Sequence, residues 1–526
     1  MKEKEQKGGA TSRRDFVKQG ALAAAAFTIV PRFVLGKGYR APSDTLYIAT
    51  IGCGVGGKGH DDTAKFTATG KAKIAFLCDV DSVYAGPTFK TYPDAKVYVD
   101  YRELFDKEHK NFDAVSVSTP DNSHALIASA AMQLHKHIWV QKPLTHDIYE
   151  ARALAMLAKK YKVVSQMGNQ GSSADGVRQM REWYEAGLIG DVHTVYTWTN
   201  RPVWPQGGMK WPEKTSPAPT TLDWNLWQGP AKEKPYPYTD VKDGGIKLLP
   251  FNWRGWWDYG TGVIGDMGAH ILEAPMTVLG LGHVTEVQST QGQPGRGLPS
   301  QDFPDNCPAS SYSVLTFPKT ERSSGNIKIH WMDGGLMPPR PEELEPTDMF
   351  MADGEGGGGM VFVGTKGKMQ AGCYAARARL LPVSRMEETI NIPQKYPRVK
   401  GGQEGHYGQW VEACLAGYGK METSSPFEKA ALVTENMLVA NLAIRGYNIP
   451  KAPVSAPPEA AATASVAAAP AAGRGAGRGG FGRRTVYPAR GLNLIWDAAN
   501  MKITNFDEVN QFVKRDYREP FKLSGV

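Results

Sequence analysis

Leu46-Tyr47-Ile48-Ala49-Thr50-Ile51 runs without a break into Gly52-Cys53-Gly54-Val55-Gly56-Gly57. The first six residues have the length and apolar character of a short buried strand. Glycines at 52, 54 and 57 then give the G-x-G-x-x-G spacing between a strand and a helix start. In that setting Gly52 permits a tight turn, Gly54 lets the backbone approach a pyrophosphate, and Gly57 allows close helix–sheet packing. Unsatisfied N–H groups at the helix start complete an anion cradle. Asp79 lies 22 residues beyond Gly57, at the end of the next strand, where a carboxylate accepts hydrogen bonds from a ribose. Such an acid opposes a 2′-phosphate, so the expected nucleotide is NAD rather than NADP.

Outward from this junction, Lys73–Val80, Asp113–Ser118, His137–Val140 and Lys162–Gln166 read as further strands, with helices over Ser123–Leu134 and Ile148–Tyr161. Strands alternating with helices predict a doubly wound parallel sheet of Rossmann type over residues 44–166. From Met167 the texture changes: eight of the 13 tryptophans fall between Trp198 and Trp257, in a Pro/Gly-rich stretch with little periodicity. Strands are predicted at Thr285–Gln291, Ser311–Phe317, Asn326–Trp331 and Met360–Gly364, then a helix pair at Gly405–Ala416 and Pro426–Arg445. Residues 167–450 thus form a second, α+β domain. Residues 451–491 are rich in Ala, Pro, Gly and Arg, cannot bury a core, and read as a disordered linker. A tail at 492–526 is expected to pack back on the fold.

The ends account for the charge. The chain of 526 residues carries +8, but residues 1–35 hold seven basic and three acidic groups, and Gly473–Arg490 adds five arginines. The remainder is close to neutral, so no phosphate-binding face for nucleic acid is expected. Five cysteines are widely spaced and form no C-x-x-C pair, which supports neither a zinc site nor a disulfide framework. Ser12-Arg13-Arg14-Asp15-Phe16-Val17-Lys18 ahead of a short Ala-rich run from Ala21 to Val30 resembles a twin-arginine export signal over residues 1–38. The run is too short to span a bilayer, so no stable membrane anchor is expected. Export in the folded state predicts a periplasmic location.

Two further turns sit just past strand ends, where ligands bind doubly wound sheets. They are Thr119-Pro120-Asp121-Asn122-Ser123-His124 and Gln141-Lys142-Pro143. Later in the chain comes Gly265-Asp266-Met267-Gly268-Ala269-His270, in which Asp266 and His270 share one helix face. Phe251-Asn252-Trp253-Arg254-Gly255-Trp256-Trp257-Asp258-Tyr259 precedes it and interleaves aromatic with polar groups, as suits a sugar.

In this order the glycine loop, the T-P-x-x-x-H segment, the x-K-P turn and the Gly-Asp-x-x-x-His helix resemble the Gfo/Idh/MocA oxidoreductases, across roughly residues 45–450. That family includes glucose–fructose oxidoreductase and inositol dehydrogenases. The resemblance implies a Rossmann domain followed by a large, open, mostly antiparallel sheet, and a homo-oligomer. It assigns catalysis to Lys142, Asp266 and His270, and places Gly52, Gly54, Gly57, Asp79, Thr119, Pro120, His124 and Lys142 around the cofactor. Asn169, Trp253, Arg254, Trp257 and Asp266 are the expected substrate contacts. The usual turn is Glu-Lys-Pro, and Gln141 replaces its acid. A metal site would need Glu273 as a third ligand, and none is expected. The implied activity is hydride transfer from a hydroxyl of a sugar, polyol or glycoside. Some relatives instead use NAD in redox-neutral glycoside cleavage, by oxidation, elimination, hydration and reduction. A non-catalytic ligand-binding protein is the third expectation.

Overall fold

The computed structural model describes residues 44–293, 303–348, 350, 357–451 and 486–526. Strand β1 (Leu46–Ile51) has β2 (Ala72–Cys78) and β3 (Lys96–Tyr98) on one side. On the other lie β4 (Ala114–Val117), β5 (His137–Val140) and β6 (Ser165–Met167). All five pairings are parallel, giving the order β3-β2-β1-β4-β5-β6 of a doubly wound dinucleotide fold. The crossovers are α1 (Lys58–Ala68), α2 (Ser82–Thr91), α3 (Tyr101–Glu108), α4 (His124–Gln133) and α5 (Ile148–Lys160). Helix α5 starts at a reciprocal cap in which Asp147 and Glu150 each satisfy the other's backbone N–H. The switch in strand order between β1 and β4 opens a crevice at the strand ends, where the Gly52 and Thr119 turns lie.

After α6 (Asp175–Glu185) the chain builds a nine-stranded sheet. Its members in chain order are β7 (Val192–Thr199), β8 (Glu286–Gly292), β9 (Ser310–Phe317), β10 (Ile327–Met332), β11 (Gly358–Gly364), β12 (Gly367–Gly372) and β13 (Arg379–Leu381). Two tail strands, β14 (Leu494–Asp497) and β15 (Lys502–Ile503), extend it at one edge. The only parallel pair among them is β7 with β10, so the sheet is mixed and mostly antiparallel, as expected. Between β7 and β8 come α7 (Trp224–Gln228), α8 (Gly262–Ile271) and α9 (Glu273–Leu279). Every residue of α8 is buried.

The helix pair does not belong to the second domain alone. Helix α10 (Gly405–Ala416) lies on the Rossmann sheet, where Tyr407 stacks on Trp139 at 4.9 Å and Trp410 meets Phe66 at 5.0 Å. Helix α11 (Phe427–Gly446) packs against both α5 and α8. Arg152 on α5 grips Glu435 on α11 through two bonds of 2.7 Å. A boundary at 167 therefore misplaces α10, because an apolar helix face does not announce which layer covers it. Strands β3, β7, β12 and β13 and helices α2 and α3 also lie where the sequence pattern gave no element.

The export signal expected at residues 1–38 lies outside the described residues, as do residues 452–485 of the expected linker. Lys451 and Val486, on either side of those residues, pair as an antiparallel bridge. All five cysteines are buried and free. Among the described residues no helix is long and apolar enough to cross a membrane, and no cluster of His, Cys, Asp or Glu could hold a metal ion.

Candidate active site

One cavity of about 390 Å³ joins the Rossmann strand ends to the second domain. Gly52 turns the chain at its edge with φ of +78°, and a Cβ there would lie 2.8 Å from the Ser118 carbonyl. Helix α1 begins without a side-chain cap, leaving its first N–H groups for an anion. The close helix–strand contact falls not at Gly57 but at Gly59. A Cβ on Gly59 would sit 1.8 Å from the Gly52 carbonyl oxygen, whereas one on Gly57 would meet nothing nearer than 3.8 Å. The packing role has moved two residues along, onto the buried side of the helix.

Asp79 lines the same cavity and accepts hydrogen bonds from the Cys53 amide at 2.8 Å and the Asp81 amide at 3.0 Å. Burial pushes its carboxyl up to about 6, against the pull of those amides. Its Oδ1, which takes the Asp81 amide, retains a lone pair for a ribose hydroxyl. Glycine loop, open helix start and acid together fit NAD.

Thr119 and Pro120 also line the cavity, but His124 does not. Its two ring nitrogens each lie 2.9 Å from a backbone carbonyl, Pro143 on one side and Thr119 on the other. It clamps the Thr-Pro turn to the Lys-Pro turn instead of touching the cofactor space, and burial lowers its pKa. Gln141 has a physical reason as well. Its amide donates to Asp62 Oδ2 at 2.8 Å, and Asp62 also receives Ser118 and Tyr407 hydroxyls. The carboxylate absent from the turn is supplied by α1, and a glutamate at 141 would oppose it.

Lys142 reaches across to α8, donating to Asp266 Oδ1 at 2.6 Å and to the Asp266 carbonyl at 2.8 Å. Arg254 Nε is 3.2 Å from the same carboxylate oxygen, its guanidinium lying over the Phe251 and Trp253 rings. Burial tends to raise Asp266, but Lys142 and Arg254 outweigh it and hold the carboxyl well below the usual range. One turn along, His270 is 6% exposed and lines the cavity, with its pKa drawn down by burial and then by Lys142. It remains neutral at pH 7.

Two expected substrate contacts point elsewhere. Asn169 is fully buried off the cavity, with its Oδ1 2.8 Å from His270 Nδ1. Trp257 belongs to the apolar core, under the Arg445 guanidinium. Trp253 and Arg254 do line the cavity.

Among the further residues that line it, four stand near the Lys–Asp–His group or close the wall. Asp121 is 5% exposed and takes a hydrogen bond from Thr261. Arg201 enters from the end of β7, and Tyr374 from a turn after β12, its ring edge-on to His270 at 4.6 Å. Tyr374 and Ala375 both have positive φ, 63° and 57°, a costly conformation held by the surrounding packing. Phe521 comes from the tail. Only Asp121 had a signal, its place within the Thr-Pro turn.

The far end of the dinucleotide cradle thus meets a Lys–Asp–His group completed by the second domain. Comparison with known proteins finds matches to one family. Residues 46–169 match the Gfo/Idh/MocA oxidoreductase family's NAD-binding Rossmann fold, and residues 178–291 match that family's C-terminal alpha/beta domain. Two successive stretches of the chain thus match the two domains of that one family. It is 27% identical over 154 residues to the inositol 2-dehydrogenase of Salmonella typhimurium, covering 29% of this chain and 45% of that protein. It is 31% identical over 103 residues to the uncharacterized oxidoreductase YfiI of Bacillus subtilis, covering 19% of this chain and 26% of that one. The matched stretch spans less than half of each of these curated relatives. The fold is also that of the WlbA dehydrogenase from Chromobacterium violaceum, solved with NADH and UDP-GlcNAcA. The likeness has 13% identity and a TM-score of 0.51, and covers 77% of this chain and 95% of that one.

Proposed function

We propose that this protein oxidises a carbinol carbon of a sugar, polyol or glycoside, with NAD as the resident hydride acceptor. The observation that carries it is the Lys142–Asp266 pair beside His270 in the cavity that also holds the glycine loop. NAD, when bound, supplies the hydride acceptor. His270, neutral and with Nε2 unpartnered among the described residues, takes the hydroxyl proton. Lys142 stabilises the alkoxide as it forms, and ionised Asp266 fixes the ammonium and offsets the imidazolium. Aromatic faces at Phe251, Trp253 and Tyr374, with Arg201 and Arg254 between them, suit a polyhydroxylated ring. The inositol 2-dehydrogenase relatives support the same substrate class.

The test is NADH formation at 340 nm across a panel of sugars, polyols and p-nitrophenyl glycosides. His270→Ala should lower turnover by about 10²–10⁴ while NAD affinity is nearly unchanged. Full activity in that variant would place the base elsewhere. Redox-neutral glycoside cleavage is a second reading, favoured by Asp121, a second proton-holding group beside Lys142 and Asp266. Cleavage without net NADH, with deuterium washing out of the sugar C2, would select it.

The reading extends to location: Arg13-Arg14 directs folded export. Replacing both with Lys should leave folded protein in the cytoplasm; periplasmic recovery of that variant would refute it.

A further inference from the structure

We propose that Glu273 and Asn169 are positioning residues that decide which ring nitrogen of His270 carries the proton, through the chain Glu273–Asn169–His270. The inference rests on His270 being the base. The assignment follows from donors and acceptors alone. Asn169 Nδ2 lies 2.7 Å from the Ala269 carbonyl oxygen and against the Glu273 carboxylate. Both neighbours can only accept, so the amide nitrogen must be at that end. The amide oxygen therefore faces His270 Nδ1 at 2.8 Å, and that nitrogen must carry a hydrogen. Neutral imidazole has one N–H, which leaves Nε2 bare on the cavity side, ready to accept the substrate proton.

Glu273 joins the Ala269 carbonyl in preventing the amide from turning over. It is 3% exposed, at the start of α9, and is itself held by the Ser172 hydroxyl at 2.6 Å and by Lys429 from α11. Were Glu273 able to donate, a flipped Asn169 would be opposed by the Ala269 carbonyl alone, and the flip would put the hydrogen on Nε2. With the Asn169 oxygen in place, the imidazolium formed in turnover keeps an acceptor for its Nδ1–H while Nε2 holds the new proton. The groups facing His270 are Lys142 and Lys58 from the Rossmann side, Arg201 after β7, Asp266 on its own helix and the Tyr374 ring. The cations and burial oppose protonation, and Asp266 and Asn169 favour it.

The first measurement is the tautomer itself, from long-range 1H–15N spectra of full-length protein labelled with 15N-histidine, the His270 signal being identified by its loss in His270→Ala. Wild type should show Nδ1–H. An Nε2–H form would overturn the proposal without any variant needing to fold. Glu273→Gln should move the signal toward Nε2–H, lower kcat by about 10²-fold and leave NAD affinity intact. Adding Asn169→Asp to Glu273→Gln puts the carboxylate directly against Nδ1, and should restore the Nδ1–H tautomer. That double variant should recover at least tenfold in kcat, with the acid limb of the pH profile raised. A Glu273→Gln protein with unchanged tautomer and pH profile would overturn the chain, as would a double variant no better than the single. Full activity in His270→Ala would instead remove the base reading beneath it.

Discussion

Asp121 is a carboxyl that neither faces water nor has a full countercharge. Burial drives its pKa from the ordinary 3.8 up to about 7, and Asp266 adds to the rise while Arg254, Thr261 and Lys142 restrain it. A native value above the unfolded one means that the folded state holds the extra proton between about pH 4 and 7. Its contribution to stability is fully present below the unfolded value and is lost as pH rises through 7. Asp121→Asn keeps an acceptor for Thr261 and removes the titration. In the apoprotein, urea unfolding at pH 5 and pH 8 should show the variant gaining about 1–3 kcal/mol on wild type between the two. Parallel curves would show that the carboxyl is ionised throughout. Sequence could locate this residue but not its ionisation, because the Thr261 hydroxyl and Arg254 come from positions more than 130 residues away.

Among the elements, those read correctly from sequence are fixed by local pattern. Strand β1 and its glycine loop announce themselves because strand, tight turn and helix start all occur within a dozen residues. Strand β7 (Val192–Thr199), which lies between β11 and β10 deep in the sheet, is bounded by Gly190-Asp191 and Asn200-Arg201-Pro202 but runs straight into the tryptophan-rich Pro/Gly stretch, whose lack of periodicity masks it. Helix α10 was found but given the wrong partner, since Trp410 and Tyr407 would be buried equally well against either sheet. The same limit applies to the site. Lys142, Asp266 and Arg254 meet as their motifs imply, whereas Asn169 and His124 sit in the right turns with side chains aimed away from the cavity. Two glycines on helices separate packing from propensity. Gly59→Ala forces α1 off the Gly52 carbonyl and should cost about 3 kcal/mol or more, with loss of NAD binding. Gly408→Ala meets only Thr69 Cγ2 at 3.9 Å and should stabilise α10 by about 0.5–1 kcal/mol. Thermal unfolding of both variants checks the pair, and equal effects would mean that the close contact at Gly59 is not real.

At the scale of the whole molecule, the last residues of the chain return to the first domain. The Arg515 guanidinium donates to Glu150 on α5 at 2.7 Å and sits against Asp147, tying the tail to the reciprocal cap of that helix. Arg518 donates to the Gly229 carbonyl at 2.8 Å and to Asn225, so the tail also fastens the tryptophan-rich segment after β7. Just past these anchors Phe521, 5% exposed, forms part of the cavity wall, with Arg102 and Arg518 each 5.1 Å from its ring centre. Tyr84 and Tyr101 line the cavity too, with the acid that closes β2, far along the chain from His270. The tail therefore bears on how firmly the nucleotide is held and not on the proton that His270 moves. Phe521→Ala opens that wall without disturbing the arginine anchors. Losing most of one aromatic side chain's burial is worth about 1–2 kcal/mol, so the NAD dissociation constant should rise roughly 5- to 30-fold. Isothermal titration with NAD measures it, and kcat at saturating NAD should stay within twofold of wild type. A drop in kcat with unchanged affinity would mean that the tail acts on the chemistry through the domain arrangement, and not by walling in the cofactor.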